Sequence, residues 1–147
     1  MKHFILITFL SFITLTNCSI NNNDDGKQQV YKTYWHLTNV SGGIAGVDND
    51  FDLDKIIWSF DNTTGKLTIN NTNTDDTIED GFDSGVYNYT VTIVESDEFL
   101  VIESNEFGNV VATETQLIID QNITTSGTGT DGFVYTFKRV VILEDVE

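Results

Sequence analysis

Cysteine occurs once in this 147-residue chain, as Cys18, and proline not at all. A single cysteine closes no intramolecular disulfide. Basic residues are scarce: 7 Lys and Arg stand against 23 Asp and Glu, giving a formal net charge of −16 and a pI near 4.1. Such a chain has no basic surface with which to neutralise phosphates, so nucleic acid is a poor partner. The same charge repels anionic membrane surfaces and most nucleotides. Histidine is nearly absent: His3 stands in the first few residues and His36 alone follows. From Asn21 onward no apolar run approaches the roughly 20 residues that a membrane-spanning helix needs. Aromatic residues, by contrast, make up 12% of the chain, enough to argue for a packed domain over a disordered one. The length suits one domain.

The first 17 residues differ from the rest. Met1-Lys2-His3 precedes an apolar run from Phe4 to Leu15, and Thr16-Asn17 leads into Cys18. A basic start, about a dozen apolar residues and a polar exit describe a secretory signal. Leu15-Thr16-Asn17-Cys18 resembles the bacterial lipobox, with Asn17 where Gly, Ala or Ser is usual. That resemblance implies that Cys18 becomes the mature N-terminus and carries acyl chains such as palmitate, anchoring the protein to the cell envelope. An outer-membrane location is expected, on either its periplasmic or its surface face. The expected organisation is a signal peptide over 1–17, a flexible tether over 18–30 and one domain over 31–147. With Lys2 removed, 6 basic residues face 23 acidic ones, a balance of −17.

Within the domain, apolar residues alternate with polar ones at period two, and no stretch has a convincing helical period. Trp35 and Leu37 share a face opposite His36, Thr38 and Val40. Ile56, Trp58 and Phe60 alternate, Asp61 to Gly65 supplies turn residues, and Leu67 with Ile69 completes a hairpin. Tyr87, Tyr89, Val91 and Ile93 form the cleanest pattern. Further strands are expected at Phe99–Ile102, Val110–Ala112 and Leu117–Ile119, with turns at Glu95–Glu98 and Asn105–Asn109. A Gly/Thr-rich loop, Asn122 to Gly132, precedes a last strand in which Phe133, Tyr135, Phe137 and Arg139 share a face. About eight strands with connections too short for crossover helices predict an all-β fold: an eight-stranded antiparallel up-and-down barrel, with a β-sandwich as the alternative.

Tyr34 to Gly43, Ile56 to Phe60, Ser84 to Tyr89 and Gly132 to Arg139 together resemble small lipocalin-like, calycin-type bacterial lipoproteins. The resemblance spans Tyr31 to Arg139. It implies that Trp35 on the first strand and Arg139 on the last meet at the closed end of the barrel, the guanidinium across the indole. Thr33 stands where that family has glycine two residues before the tryptophan. An eight-stranded barrel either fills its interior with side chains or holds one small ligand. Trp58, Phe60, Tyr87, Tyr89, Val91, Phe133, Tyr135 and Phe137 are the candidate lining, and a calyx and a solid core read identically in the sequence.

Catalytic patterns are hard to find. His36, on the strand face opposite Trp35, reads as solvent-facing, and no serine lies in a nucleophile-elbow motif. Asp48 to Asp54 has alternating carboxylates, but Leu53 stands where a calcium loop needs glycine and Ser59 where it needs glutamate. Asp75 to Asp83 is acidic with equally poor spacing, and both read as solvated loops. No metal site, cofactor or catalytic residue is therefore expected. The expectation is a binding protein for a small apolar ligand, or alternatively an envelope structural or protein-interaction module with a filled barrel; an unrecognised hydrolase is the enzyme alternative.

Overall fold

The computed structural model describes residues 29–145; the signal segment, Cys18 and nearly all of the expected tether lie outside them. The described chain is all β. Eleven strands follow in order: β1 (Gln29–Gly42), β2 (Val47–Asp50), β3 (Ile56–Asp61), β4 (Lys66–Asn71), β5 (Gly85–Val94), β6 (Asp97–Ile102), β7 (Asn105–Ala112), β8 (Gln116–Asp120), β9 (Ile123–Thr124), β10 (Gly127–Thr128) and β11 (Phe133–Asp145). Antiparallel pairing runs β1-β3-β4-β5-β6-β7-β8-β11, and β11 pairs back onto β1, closing a ring of eight strands. Short β9 and β10 form their own hairpin in the Gly/Thr-rich loop.

The ninth strand of the sheet, β2, stands outside that ring. One edge of β1 is occupied along its whole length by β11, from Gln29↔Asp145 to Gly42↔Phe133. Consequently β2 and β3 must share the other edge, β3 at Trp35 and His36 and β2 at Asn39 to Gly42. Phe51 to Lys55 loops out between them, and Phe51 N–H still donates to the Thr38 carbonyl at 2.9 Å. The carboxylates expected in one loop are thus divided. Asp48 and Asp50 are strand residues, each accepting from Asn39 Nδ2, at 2.7 and 3.0 Å.

Two bulges correct the expected strand faces. In β1 the register slips at Thr38, between Leu37↔Phe137 and Asn39↔Thr136. An extra residue reverses the alternation, so Val40, expected opposite Leu37, is fully buried in the core with it. In β7, expected to be a turn over Asn105–Asn109, the chain is extended. The turn lies earlier, at Glu103 and Ser104, both with positive φ (48° and 69°), and Phe107 is the bulged residue between Glu106 and Gly108. Gly108 is required there: its φ is +154°, and a Cβ would stand 2.6 Å from the Asp120 carbonyl oxygen.

The core lies within the ring. Trp58 is fully buried, with ring centroids of Phe137, Phe107, Phe82 and Phe60 at 5.0, 5.9, 6.0 and 6.2 Å. Phe107 also meets Tyr135 at 5.1 Å. Phe82 belongs to the acidic segment 72–84 between β4 and β5, which is folded against this cluster. Its Glu79 accepts the Tyr135 hydroxyl at 2.7 Å, and its Asp80 accepts from Asn71 and Asn73. This half of the barrel is filled by aromatic rings and covered by that loop.

Candidate functional site

The opposite end is hollow. Strand directions put the β3–β4, β5–β6 and β7–β8 turns at this end, together with the start of β1 and the finish of β11. Between them opens a cavity of about 410 Å³, within the usual range for small-molecule sites. Its floor and walls come from inward positions of successive strands: Phe60, Tyr89, Leu100, Val110, Leu117 and Ile119 supply apolar surface. Val91 and Ala112 lie nearer the rim. Thr33, Trp35, Asn62, Glu98, Thr113 and Arg139 complete the lining.

The polar groups are held by local geometry. Trp35 and Arg139 are directly opposed on β1 and β11, so their side chains leave the same face of the sheet. The Arg139 guanidinium donates to Thr33 Oγ1 and to the Glu114 carbonyl, each at 3.3 Å. These bonds spread it across the β1–β11 junction in the cavity wall. Trp35 and Arg139 thus flank the open end of the barrel rather than a closed one as the resemblance implies, and the closed end is the one plugged by the 72–84 segment. Tyr89 donates its hydroxyl to Asn62 Oδ1 in the β3–β4 turn, and burial followed by the nearby Asp61 charge raises its pKa. Asp61 holds that turn by accepting from Thr63 N–H, Thr64 N–H and Thr64 Oγ1 at 2.9, 3.2 and 2.6 Å. The result is a pocket of mixed lining, apolar on its floor and polar toward Thr33, Asn62 and Thr113, with a cation and a carboxylate, Arg139 and Glu98, in its wall.

Of the eight side chains expected to line the interior, Phe60, Tyr89 and Val91 border this cavity. Trp58, Tyr135 and Phe137 are buried in the filled half, where burial and then the Glu79 hydrogen bond push the Tyr135 hydroxyl's pKa upward. Tyr87 packs on Phe82, centroids 5.2 Å apart. Phe133 is at the far end of the barrel, beside a shallow groove bordered by Val47, Ile78 and Glu79. Leu100, Val110, Leu117 and Ile119 line the cavity in addition to the expected residues. The alternation of Leu117 and Ile119 was available in the sequence, whereas Val110 needed the bulge at Phe107 to set its face.

His36 is not solvent-facing as expected. It does lie on the outside of the ring, but the Phe51–Lys55 loop covers it, leaving it 8% exposed. Its Nδ1 is hydrogen-bonded to the Leu53 carbonyl, and Asp54 Oδ1 lies 3.6 Å away. The histidine therefore fastens the looped-out segment to β1 and faces away from the cavity.

Fold and site together define a closed antiparallel β-barrel, filled at one end and open at the other. Comparison of the chain with known protein families, with curated proteins and with solved structures finds no match.

Proposed function

We propose that this protein is a lipocalin-like lipoprotein of the bacterial cell envelope that binds a small, largely apolar molecule in the open end of its barrel and catalyses no reaction. The observation that carries the reading is the cavity of about 410 Å³, bounded by Phe60, Tyr89, Leu100, Leu117 and Ile119. Apolar surface of this kind supplies affinity by leaving water, while a few fixed polar groups orient the ligand. Arg139 and Glu98 are placed to meet a polar end of such a molecule. The position of His36, outside the ring and bonded to Leu53, supports binding over catalysis. The lipobox-like Leu15 to Cys18 supports an acyl anchor, with the outer membrane as the location.

Titration with an environment-sensitive apolar dye tests the binding reading. Saturable binding at one site is expected. Val91→Trp, which puts an indole at a half-exposed rim position, should abolish it while leaving the thermal unfolding midpoint close to the parent's. A dye that binds the parent and Val91→Trp equally, or neither, would leave the filled half of the barrel as the dominant feature and favour an envelope interaction module.

A further inference from the structure

Exposed apolar side chains are distributed very unevenly on this barrel. Among the described residues, nine of the twelve large hydrophobics that are exposed lie on the half carrying the cavity mouth. Beyond Arg139, β1 and β11 continue as a two-stranded ribbon that projects past the rim and pairs through to Gln29↔Asp145. Both of its faces carry apolar groups: Tyr31 is 80% exposed, and Val141, Ile142 and Leu143 are also exposed. Across the mouth, the tip of β5 presents Ile93, at 67% exposure, together with Val91. Exposed apolar groups gathered around a cavity entrance, even with carboxylates between them, suit a surface that a partner covers.

Where the chain enters the domain indicates the partner. Gln29 starts β1 at the ribbon's outer end, and Cys18 precedes it by 11 residues in the sequence. Even fully extended, 11 residues span at most about 40 Å. An acyl group on Cys18 therefore attaches the domain by its ribbon end and favours that end facing the bilayer. We infer that the apolar rim rests on the lipid surface, so that the cavity opens toward the membrane and exchanges its ligand with the bilayer. This inference rests on the anchored-lipoprotein reading above. Glu95, Asp97, Glu114, Glu144 and Asp145 around the rim would be repelled by anionic headgroups, so the surface it suits is zwitterionic.

The test uses the mature, acylated protein reconstituted in phosphatidylethanolamine-rich vesicles. With Cys18 blocked by its modification, Tyr31→Cys, Ile93→Cys and Ile44→Cys each offer one thiol for an NBD label; Ile44 is 90% exposed at the far end. At all three positions the side chain is already in solvent, so folding should survive. Labels at 31 and 93 are expected to brighten, shift to the blue and be quenched by bromo-acyl lipid, while the label at 44 does none of these. Vesicle flotation with equal, weak quenching at all three sites would overturn the membrane-facing orientation and leave the anchor intact. Brightening at 31 and 93 that follows protein density and is insensitive to brominated lipid would overturn it in favour of contact between copies. Failure of the protein to float would overturn the anchor and this inference with it.

Discussion

Trp58 brings to the filled half of the barrel its largest side chain and a polar atom with nothing to bond. Among the described residues its Nε1 is the one buried side-chain nitrogen or oxygen without a hydrogen-bond partner. A buried unpaired donor costs roughly 1–3 kcal/mol, whereas emptying a large aromatic site costs about 3–5 kcal/mol. The two effects oppose each other in Trp58→Phe, which removes the donor along with some volume, but not in Trp58→Ala. Urea unfolding should therefore show a loss of about 1–2 kcal/mol or less for Trp58→Phe and about 3–5 kcal/mol for Trp58→Ala. The inward position of Trp58 was legible from its alternation with Ile56 and Phe60. Its isolation from any acceptor was not, because that depends on Phe82 and Phe107 arriving from distant segments. The burial of His36 is hidden from the sequence for a related reason. Alternation put it on the outer face correctly, but five residues from Phe51 to Lys55 fold back over it, and no local pattern announces such a cover.

Turns and bulges are where elements acquire their phase, and the side chains at them differ in how openly they signal it. Asp61-Asn62-Thr63-Thr64-Gly65 was readable because Asp, Thr and Gly have specific turn chemistry, and the structure uses the carboxylate three times. The Glu103–Ser104 turn escaped because neither residue is Gly or Asn, although both adopt positive φ. Nearby Asn105, Gly108 and Asn109 imitated a turn while forming a bulged strand. The hydrogen bonds at Asp61, first from the Thr64 hydroxyl and then from the two N–H groups, hold its pKa below the ordinary value of 3.8. Glu103 is lowered likewise, by the Asn88 backbone N–H and then its side chain. A carboxylate with a lowered folded-state pKa stabilises above the unfolded pKa and loses that contribution as pH falls through the folded one. The window is thus below about pH 4. Unfolding midpoints followed by circular dichroism are expected to drop there, and Asp61→Asn should lower the midpoint at pH 7 and flatten the decline on acidification.

For the whole molecule, period-two alternation and short connections pointed to neighbouring antiparallel strands, since such connections leave them little choice of partner. The choice between barrel and sandwich is made by the β1–β11 seam. Alternation was not enough to place the cavity either. Inward residues alternate identically where the barrel is full, at Trp58 and Phe137, and where it is hollow, at Tyr89 and Leu100. What separates the halves is the 72–84 segment, which brings Phe82 and Glu79 to one end only. The proposed anchor belongs to this scale too. Cys18→Ser is expected to move the protein from the membrane fraction to the soluble one and to abolish incorporation of labelled palmitate. Persistence in the membrane fraction, with no label taken up by the native protein, would sink the lipoprotein reading.

The pairing of β1 with β11 also sets a timetable for folding. Gln29 and Asp145, whose side chains meet at 2.9 Å, are 116 residues apart in the chain. The seam that turns a sheet into a barrel is therefore its most distant contact in sequence, and contacts of large separation form late. A chain passing N-terminus first through an export channel would have no seam to zip until Phe133–Asp145 emerged. Until then β1 and the latest strand to emerge remain open edges, able to pair with other chains. In such a transit, delayed closure would keep the polypeptide threadable; in any setting, pairing of the 13-residue β11 is the moment at which both vulnerable edges disappear together.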